Sequence, residues 1–227
     1  VFERAGNMDN GGYRGWPGYA GQVRVSGSSG IEIVACVMDG RARYMVGLVA
    51  EGLGAMPGVA EGVTPLTVTD SVFVGNWYSF FIGGRGPNIL RNNAIGRSRL
   101  LKAAFGAPTI LRNNIYQSLG ANKWGSNLFV GVGSMDSDYN CFGWDEGNEI
   151  RNVAWINRRR GEYAKGLAGW REAFGKDINS IEAEPGYPLS EKTGFGGNGM
   201  VGPPRPLSIE DLILPPYSPC RGTGENG

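Results

Sequence analysis

The residues best suited to chemistry lie in a stretch that has no acidic side chain. No Asp or Glu occurs between Asp70 and Asp136. The basic residues of this stretch are Arg85, Arg91, Arg97, Arg99, Lys102, Arg112 and Lys123. Because arginine binds carboxylates through two parallel hydrogen bonds, the stretch is suited to an acidic polymer. The alternative is that these are solvated charges on an outward surface.

Cleavage of an acidic polysaccharide would place demands on this stretch that depend on the reaction. A glycoside hydrolase normally needs two carboxylates about 5–10 Å apart. Such a pair could come only from the edges of the stretch, for example from Asp39 with Asp70 or from Asp136 with Asp138. A β-elimination needs a base and a positive charge that neutralises the carboxylate of the substrate. Lys102 is the candidate catalytic base, because arginine holds its proton too tightly, and the pKa of Lys102 would have to be lowered. If the chain is an enzyme, a polysaccharide lyase is favoured over a hydrolase.

Two pairs of residues are candidates for holding such a ligand. Arg91 and Arg112 occupy the same position in two similar segments, so they should stack into a basic row. Trp77 and Trp124 could stack on sugar rings, although filling of the core is the alternative for these aromatic residues.

Composition restricts metal and triad chemistry. The chain has no histidine, which excludes Ser-His triads, Cys-His pairs and His-ligated zinc. Asp136 and Asp138 would point the same way in a strand, and they are candidate ligands for a calcium ion. No cofactor is required, and calcium is the one ion that the pattern suggests. We find no phosphate-binding glycine loop and no nucleic-acid-binding module in the sequence.

An internal repeat must position these residues. Residues 87–95 (PNILRNNAI) and 108–116 (PTILRNNIY) are near copies that begin 21 residues apart. Looser versions occur at residues 33–38, 68–73 and 138–142. In the alignment, one column of small and polar residues contains Cys36, Ser71, Asn93, Asn114 and Asn140. A period of about twenty residues is typical of a repeat architecture.

These units predict strands and not helices. No unit has room for a helix–turn–helix pair, and the regular leucines of a leucine-rich repeat are absent. A parallel β-solenoid remains, in which successive units stack about 4.8 Å apart. Stacking would place the asparagines of one column above one another, so that their side-chain amides form a hydrogen-bonded ladder.

The repeated I-L-R-N-N unit resembles the right-handed parallel β-helix proteins of the pectate lyase-like superfamily. Residues 167–187 and 217–224 are similar to C-terminal segments of many secreted bacterial proteins of this kind. The resemblance covers residues 22 to 224 and implies an all-β fold, a right-handed parallel β-helix of about five coils. It is weak for activity, because the superfamily includes lyases, hydrolases, adhesins and scaffolds.

The chain divides into three predicted regions. Residues 1–21 read as an N-terminal loop or cap, residues 22–143 as the stacked coils, and residues 144–227 as a C-terminal cap. The third region contains the run Arg158-Arg159-Arg160 and then a predicted helix at about 161–174. A helix and an extended tail would cover the last coil, which otherwise presents an open sheet edge.

One apolar stripe supports the predicted helix. Tyr163, Leu167, Trp170 and Phe174 recur at helical spacing, and Gly175 is a natural C-terminal stop. The stripe is expected to be a packing face.

Three cysteines leave two alternatives open. Cys36 and Cys141 would lie about four coils apart, which is too far for a disulfide. Either the thiols fill the ladder, or Cys220 reaches Cys141 because the tail folds back.

No run of eighteen apolar residues occurs, so no membrane span is expected. The chain begins at Val1 without a signal sequence, which would fit a mature or trimmed form.

The resemblance to secreted β-helix proteins implies an extracellular or cell-envelope domain. One hypothesis is that it binds an acidic polysaccharide through its basic face, or cleaves it by β-elimination. The other is a non-catalytic structural subunit of a larger assembly, with an acidic protein surface or a partner chain at the N-terminal coil. No nucleic acid is expected as a partner.

Overall fold

Parallel β-strands make up most of the structure. The computed structural model describes residues 21–26, 30–39, 46–51, 66–74, 78–82, 87–98, 103–105, 108–118, 129–130, 135–144, 152–157, 159–186, 195–196, 199–200 and 213–226. Within these residues, three parallel sheets contain most of the strands, and there is one helix. This content agrees with the predicted all-β class. The predicted N-terminal loop, residues 1–21, lies outside the described residues except for Gly21.

The strands of each parallel sheet are far apart in sequence. The first sheet contains β1 (Gly21–Ser26), β4 (Val46–Glu51), β7 (Tyr78–Ile82), β10 (Ala103–Phe105) and β13 (Phe129–Val130). The second contains β2 (Ile31–Val34), β5 (Leu66–Thr69), β8 (Asn88–Arg91), β11 (Thr109–Arg112) and β14 (Met135–Asp138). The third contains β3 (Val37–Asp39), β6 (Val72–Val74), β9 (Ala94–Ser98), β12 (Ile115–Ser118), β15 (Cys141–Trp144) and β18 (Ile181–Glu182). Two antiparallel pairs complete the described strands: β16 (Asn152–Asn157) with β17 (Glu162–Lys165), and β19 (Phe195–Gly196) with β20 (Gly199–Met200).

Consecutive strands enter the three sheets in a constant order. From β1 to β15, every third strand joins the same sheet beside its predecessor. We call each set of three strands a repeat unit. The register places equivalent residues side by side, so that Asn88 lies beside Thr109 and Arg91 lies beside Arg112. The spacing of the two near-identical segments in the sequence is therefore the length of one repeat unit.

A two-residue bend joins the second sheet to the third in every unit. The first bend residue has a left-handed backbone, with φ between 52° and 57°. These first residues are Ala35, Asp70, Asn92, Asn113 and Tyr139. Asn and Asp tolerate this conformation better than most residues, which accounts for three of the five.

The second bend residues form a ladder of hydrogen bonds. Asn140 Oδ1 accepts the backbone N–H of Asn114 at 2.8 Å, and Asn114 Oδ1 accepts that of Asn93 at 3.1 Å. Asn93 Oδ1 accepts the N–H of Ser71, and Ser71 Oγ accepts the N–H of Cys36, each at 3.1 Å. Each asparagine also donates through Nδ2 to a carbonyl of the preceding unit. The four polar residues of the ladder are at most 1% exposed, so these bonds satisfy groups that water does not reach.

Apolar side chains of the second and third sheets form the hydrophobic core. The second sheet contributes Ile33, Val68, Leu90 and Leu111. The third sheet contributes Met38, Phe73, Ile95, Tyr116 and Phe142. In each set, a residue packs beside the equivalent residue of the next unit. A fully buried side chain of this size contributes roughly 1.5–3 kcal/mol relative to an exposed one.

The β16–β17 pair and the helix α1 (Gly166–Phe174) close the C-terminal end of the sheets. Trp170 of α1 is fully buried, and its ring centroid lies 5.6 Å from that of Phe129 in the last strand of the first sheet. The backbone N–H of Leu167 donates to Glu182 Oε2 of β18 at 2.8 Å. A carboxylate at this position also interacts favourably with the helix dipole.

The helix begins at Gly166, later than the predicted start near 161. Residues Glu162–Lys165 instead form β17, because they pair with β16. Tyr163 therefore lies on a strand and does not belong to the helical stripe. The helix ends as the sequence predicts, since Gly175 has a left-handed backbone with φ of 62° and caps it.

A disulfide joins Cys141 to Cys220, whose Cα atoms are 5.9 Å apart. Of the two alternatives, the one in which the tail folds back is the one observed, and the all-thiol alternative is wrong for these two residues. Cys36 is a free thiol. The N–H of Glu225 donates to Asn113 Oδ1 at 2.8 Å, so the tail also contacts the fourth unit.

A second segment crosses the outward side of the third sheet after β18. Pro185 is buried against Gly143, and a Cβ built on Gly143 would lie 2.4 Å from Pro185 Cδ. Beside it, Gln117 Nε2 donates to Glu184 Oε1 at 2.7 Å. Only glycine leaves room for the proline at this position.

Gly143→Ala is expected to destabilise the fold by about 1–3 kcal/mol, because the new methyl group would overlap the ring of Pro185. Gly169→Ala in α1 is the matched control. A Cβ there has its nearest neighbour at 3.6 Å, and alanine should stabilise the helix by about 0.5–1 kcal/mol. Urea unfolding measures both changes. Equal stabilities of the two variants would contradict the packing of Pro185 on Gly143.

Candidate functional site

The candidate binding surface is the outward side of the second sheet, here called the outer face. It consists of the residues that alternate with the buried ones, in two rows across the strands. The first row contains Glu32, Thr67, Ile89, Ile110 and Asp136. The second row contains Val34, Thr69, Arg91, Arg112 and Asp138. All ten are exposed or half-buried, and alternation along a strand places them on one side.

Arg112 is held by three hydrogen bonds to its own sheet. Its Nη2 lies 2.8 Å from Asp136 Oδ2, which makes an ion pair. Its Nη1 donates to the carbonyls of Leu111 at 3.1 Å and Asp136 at 3.0 Å. The side chain of Arg112 is 15% exposed, whereas that of Asp136 is 65% exposed. Arg112 is thus fixed in position, and much of its charge is compensated before any ligand arrives.

Arg91 is the exposed arginine of the same row. It lies between Thr69 and Arg112 in the register of the sheet. Within the part of the chain that the structure describes, no ion pair or hydrogen bond engages its guanidinium group. The predicted basic row therefore consists of one arginine held by Asp136 and one exposed arginine.

The two aspartates proposed as calcium ligands are both engaged by protein donors. Asp136 pairs with Arg112. Asp138 Oδ1 accepts the N–H groups of Tyr139 and Asn179, and its Oδ2 accepts Asn179 Nδ2 at 2.8 Å. Among the described residues, no group of three or more His, Cys, Asp or Glu side chains is arranged to hold a metal ion.

Three predicted site residues cannot be placed on this surface. Lys102, Trp77 and Trp124 lie outside the described residues. The base proposed for β-elimination and the two proposed sugar-stacking aromatics thus stay predictions.

A buried carboxylate that the sequence did not single out lies at the C-terminal end of the ladder. Asp177 is 1% exposed. Its Oδ1 accepts Asn140 Nδ2 at 2.9 Å and Ser180 Oγ at 2.6 Å, and its Oδ2 accepts Trp170 Nε1 at 2.8 Å. Ser180 Oγ in turn accepts the N–H of Asn140 at 2.7 Å, so it continues the ladder. Because no substrate could reach Asp177, its role is to join the ladder to α1.

The environment at the end of the ladder also affects the pKa of Tyr116. Burial raises the pKa of its phenol well above the ordinary value, and the negative charge of Asp177 raises it further. The ring packs against Phe129 and Phe142 at centroid distances of 5.3 and 5.4 Å. In the described part of the chain, the hydroxyl has no hydrogen-bond partner.

Comparisons with family models, curated proteins and solved structures find no similar protein. The resemblance to pectate lyase-like proteins is therefore an expectation from the sequence. No helix among the described residues is both long and apolar enough to cross a bilayer.

The parent protein is expected to lose folding stability at alkaline pH because of Tyr116, and Tyr116→Phe should remove this loss. The folded protein keeps the phenol proton at a pH where the unfolded chain releases it. Tyr116 therefore contributes its full share of stability below about pH 10, and this share is lost as the pH rises towards the folded pKa. The loss amounts to at most about 1.4 kcal/mol per pH unit.

Guanidinium unfolding at pH 8 and at pH 11 measures this difference, and Tyr217→Phe is the control because Tyr217 is 81% exposed. At pH 8 the Tyr116 variant should be nearly as stable as the parent, since the hydroxyl that it loses has no partner among the described residues. If both variants lose the same stability between the two pH values, the assignment to Tyr116 is wrong.

Proposed function

We propose that this chain is an extracellular right-handed parallel β-helix domain that binds an acidic polysaccharide on its outer face. Three observations support the fold. The strands enter the three sheets in a constant order, equivalent residues are in register, and the ladder joins every bend to the next. The disulfide supports an oxidising compartment, because such bonds are rare in the cytosol.

The observation that carries the binding proposal is the exposed guanidinium group of Arg91 beside the fixed Arg112. An exposed arginine can bind a carboxylate through two hydrogen bonds. Its neighbours suit a sugar polymer, because Thr67 and Thr69 offer hydroxyl groups and Ile89 offers a half-buried apolar surface. The ligand would lie across the strands, where rows repeat about every 4.8 Å.

Binding is favoured over cleavage because the candidate catalytic carboxylates are engaged by other side chains. A hydrolase would need two available carboxylates, and Asp136 and Asp138 are engaged by Arg112 and Asn179. A lyase would depend on Lys102, whose position relative to Arg91 is not described. We therefore propose no catalytic step.

A second candidate function, a structural subunit, is favoured by the N-terminal end of the sheets. Among the described residues, β1, β2 and β3 have a neighbouring strand on one side only. Cys36 Sγ donates to the carbonyl of Val34, as Ser71 Oγ does to that of Thr69. Cys36 thus has the geometry of a ladder residue, and under this second proposal a partner chain supplies its next neighbour.

Arg91→Gln is expected to weaken binding to polygalacturonate by about three- to tenfold, because one exposed charge pair with the ligand is lost. Asp136→Asn should strengthen binding by up to about fivefold, since it frees the charge of Arg112. Lys165→Gln is the control, because Lys165 is exposed on β17 and lies off the outer face. Isothermal titration calorimetry at about 0.05 and 0.3 M salt measures these affinities, and the effects should shrink at the higher salt.

Equal affinities for the parent, Arg91→Gln and Asp136→Asn would contradict binding at the outer face. A parent that binds no uronate polymer would contradict the function itself and favour the structural subunit.

A further inference from the structure

The hairpin turn between β16 and β17 displays two arginines that the outer face does not use. Arg159 and Arg160 are both exposed in this turn. Arg158 precedes them in sequence and lies outside the described residues. The turn belongs to the C-terminal cap, whereas the outer face belongs to the second sheet.

The turn is held by its own hydrogen bonds. Asn157 Oδ1 accepts the N–H groups of Arg159 at 3.1 Å and Arg160 at 3.3 Å. The carbonyl of Asn157 also accepts the N–H of Arg160 at 3.2 Å. Gly161 closes the turn with φ of 68°, a conformation that other residues rarely adopt. An asparagine that bonds the backbone two residues ahead is a recurrent way to fix a turn.

The base of the hairpin is anchored in the core. Val153, Ala154 and Ala164 are at most 1% exposed, and they pack in the same hydrophobic cluster as Trp170 of α1. The turn therefore projects from a rigid support. A rigid support reduces the conformational entropy that is lost when a ligand binds.

Both guanidinium groups belong to exposed residues. Within the described ranges, no ion pair or side-chain hydrogen bond engages Arg159 or Arg160, although the neighbouring Glu162 is exposed. Two adjacent arginines, exposed and without an ion pair among the described residues, favour a ligand with closely spaced negative groups.

We propose that this turn is a second anion-binding site, which takes a sulfated or carboxylated polysaccharide. The choice of ligand class rests in part on the proposed function, because the disulfide favours a compartment where acidic glycans are available. Residues 157–162 contain no aromatic side chain, whereas proteins that bind single-stranded nucleic acid stack the bases on aromatic residues. The turn would give a long glycan a contact that is separate from Arg91.

The test uses the disulfide-bonded chain and heparin, a sulfated polysaccharide. The double variant Arg159→Gln/Arg160→Gln should bind heparin about three- to tenfold more weakly than the parent, with circular dichroism and thermal unfolding unchanged. Lys165→Gln is the matched control, since it removes one positive charge from the same hairpin outside the turn. Its affinity should stay within about twofold of that of the parent.

Equal heparin affinities of the double variant and the parent would overturn the proposal, and so would a parent that binds no heparin. Tighter binding of the parent to phosphatidylglycerol vesicles than to heparin, lost in the double variant, would overturn it in favour of a lipid surface. The outer face is tested separately by Arg91→Gln with polygalacturonate. If that variant behaves as the parent while the double variant loses heparin, the outer-face function fails and the turn site stands.

Discussion

The hydrogen bond from a backbone N–H of one repeat unit to a ladder side chain of the next is the constraint on which the other features depend. The sharp bend at each ladder residue removes its N–H from the sheets, in a place that water does not reach. A buried N–H without an acceptor costs about 1–3 kcal/mol. Asn114 supplies that acceptor for Asn93 and also donates to the carbonyl of Leu90, so one side chain satisfies two backbone groups. Repetition of this arrangement keeps the strands of neighbouring units in register.

Register decides which charges meet on the outer face. Because equivalent residues lie side by side, Arg91 is next to Arg112, and two like charges share one row. The next strand relieves this repulsion, since Asp136 draws the guanidinium of Arg112 away from Arg91. The two arginines that the sequence places in one basic row therefore have different surroundings in the structure. Arg112 is paired with Asp136, whereas Arg91 is exposed.

Much of the repeat could be predicted from the sequence, because the ladder requires the same residue type at the same position. The columns through Asn93 and Asn114, and the apolar column through Ile95 and Tyr116, follow from two similar segments. Contacts that occur only once in the fold leave no repeated residue pattern in the sequence. Asp177 joins the ladder to α1 through contacts between residues far apart in sequence, and no spacing rule predicts them. The predicted start of α1 is wrong because Tyr163 fits a helical stripe in the sequence, whereas pairing with β16 holds it in a strand.

The most direct test of this account compares the free energies of unfolding of Asn114→Ala and Asn92→Gly. Asn114 is buried in the ladder, and its loss leaves at least two buried groups without partners, so the account predicts a decrease of about 2–5 kcal/mol. Asn92 lies next to a ladder residue but is exposed, and glycine keeps its left-handed backbone, so the decrease should stay below about 1 kcal/mol. Guanidinium unfolding with the disulfide intact measures both values. Decreases of similar size in the two variants would contradict a ladder that holds the units together.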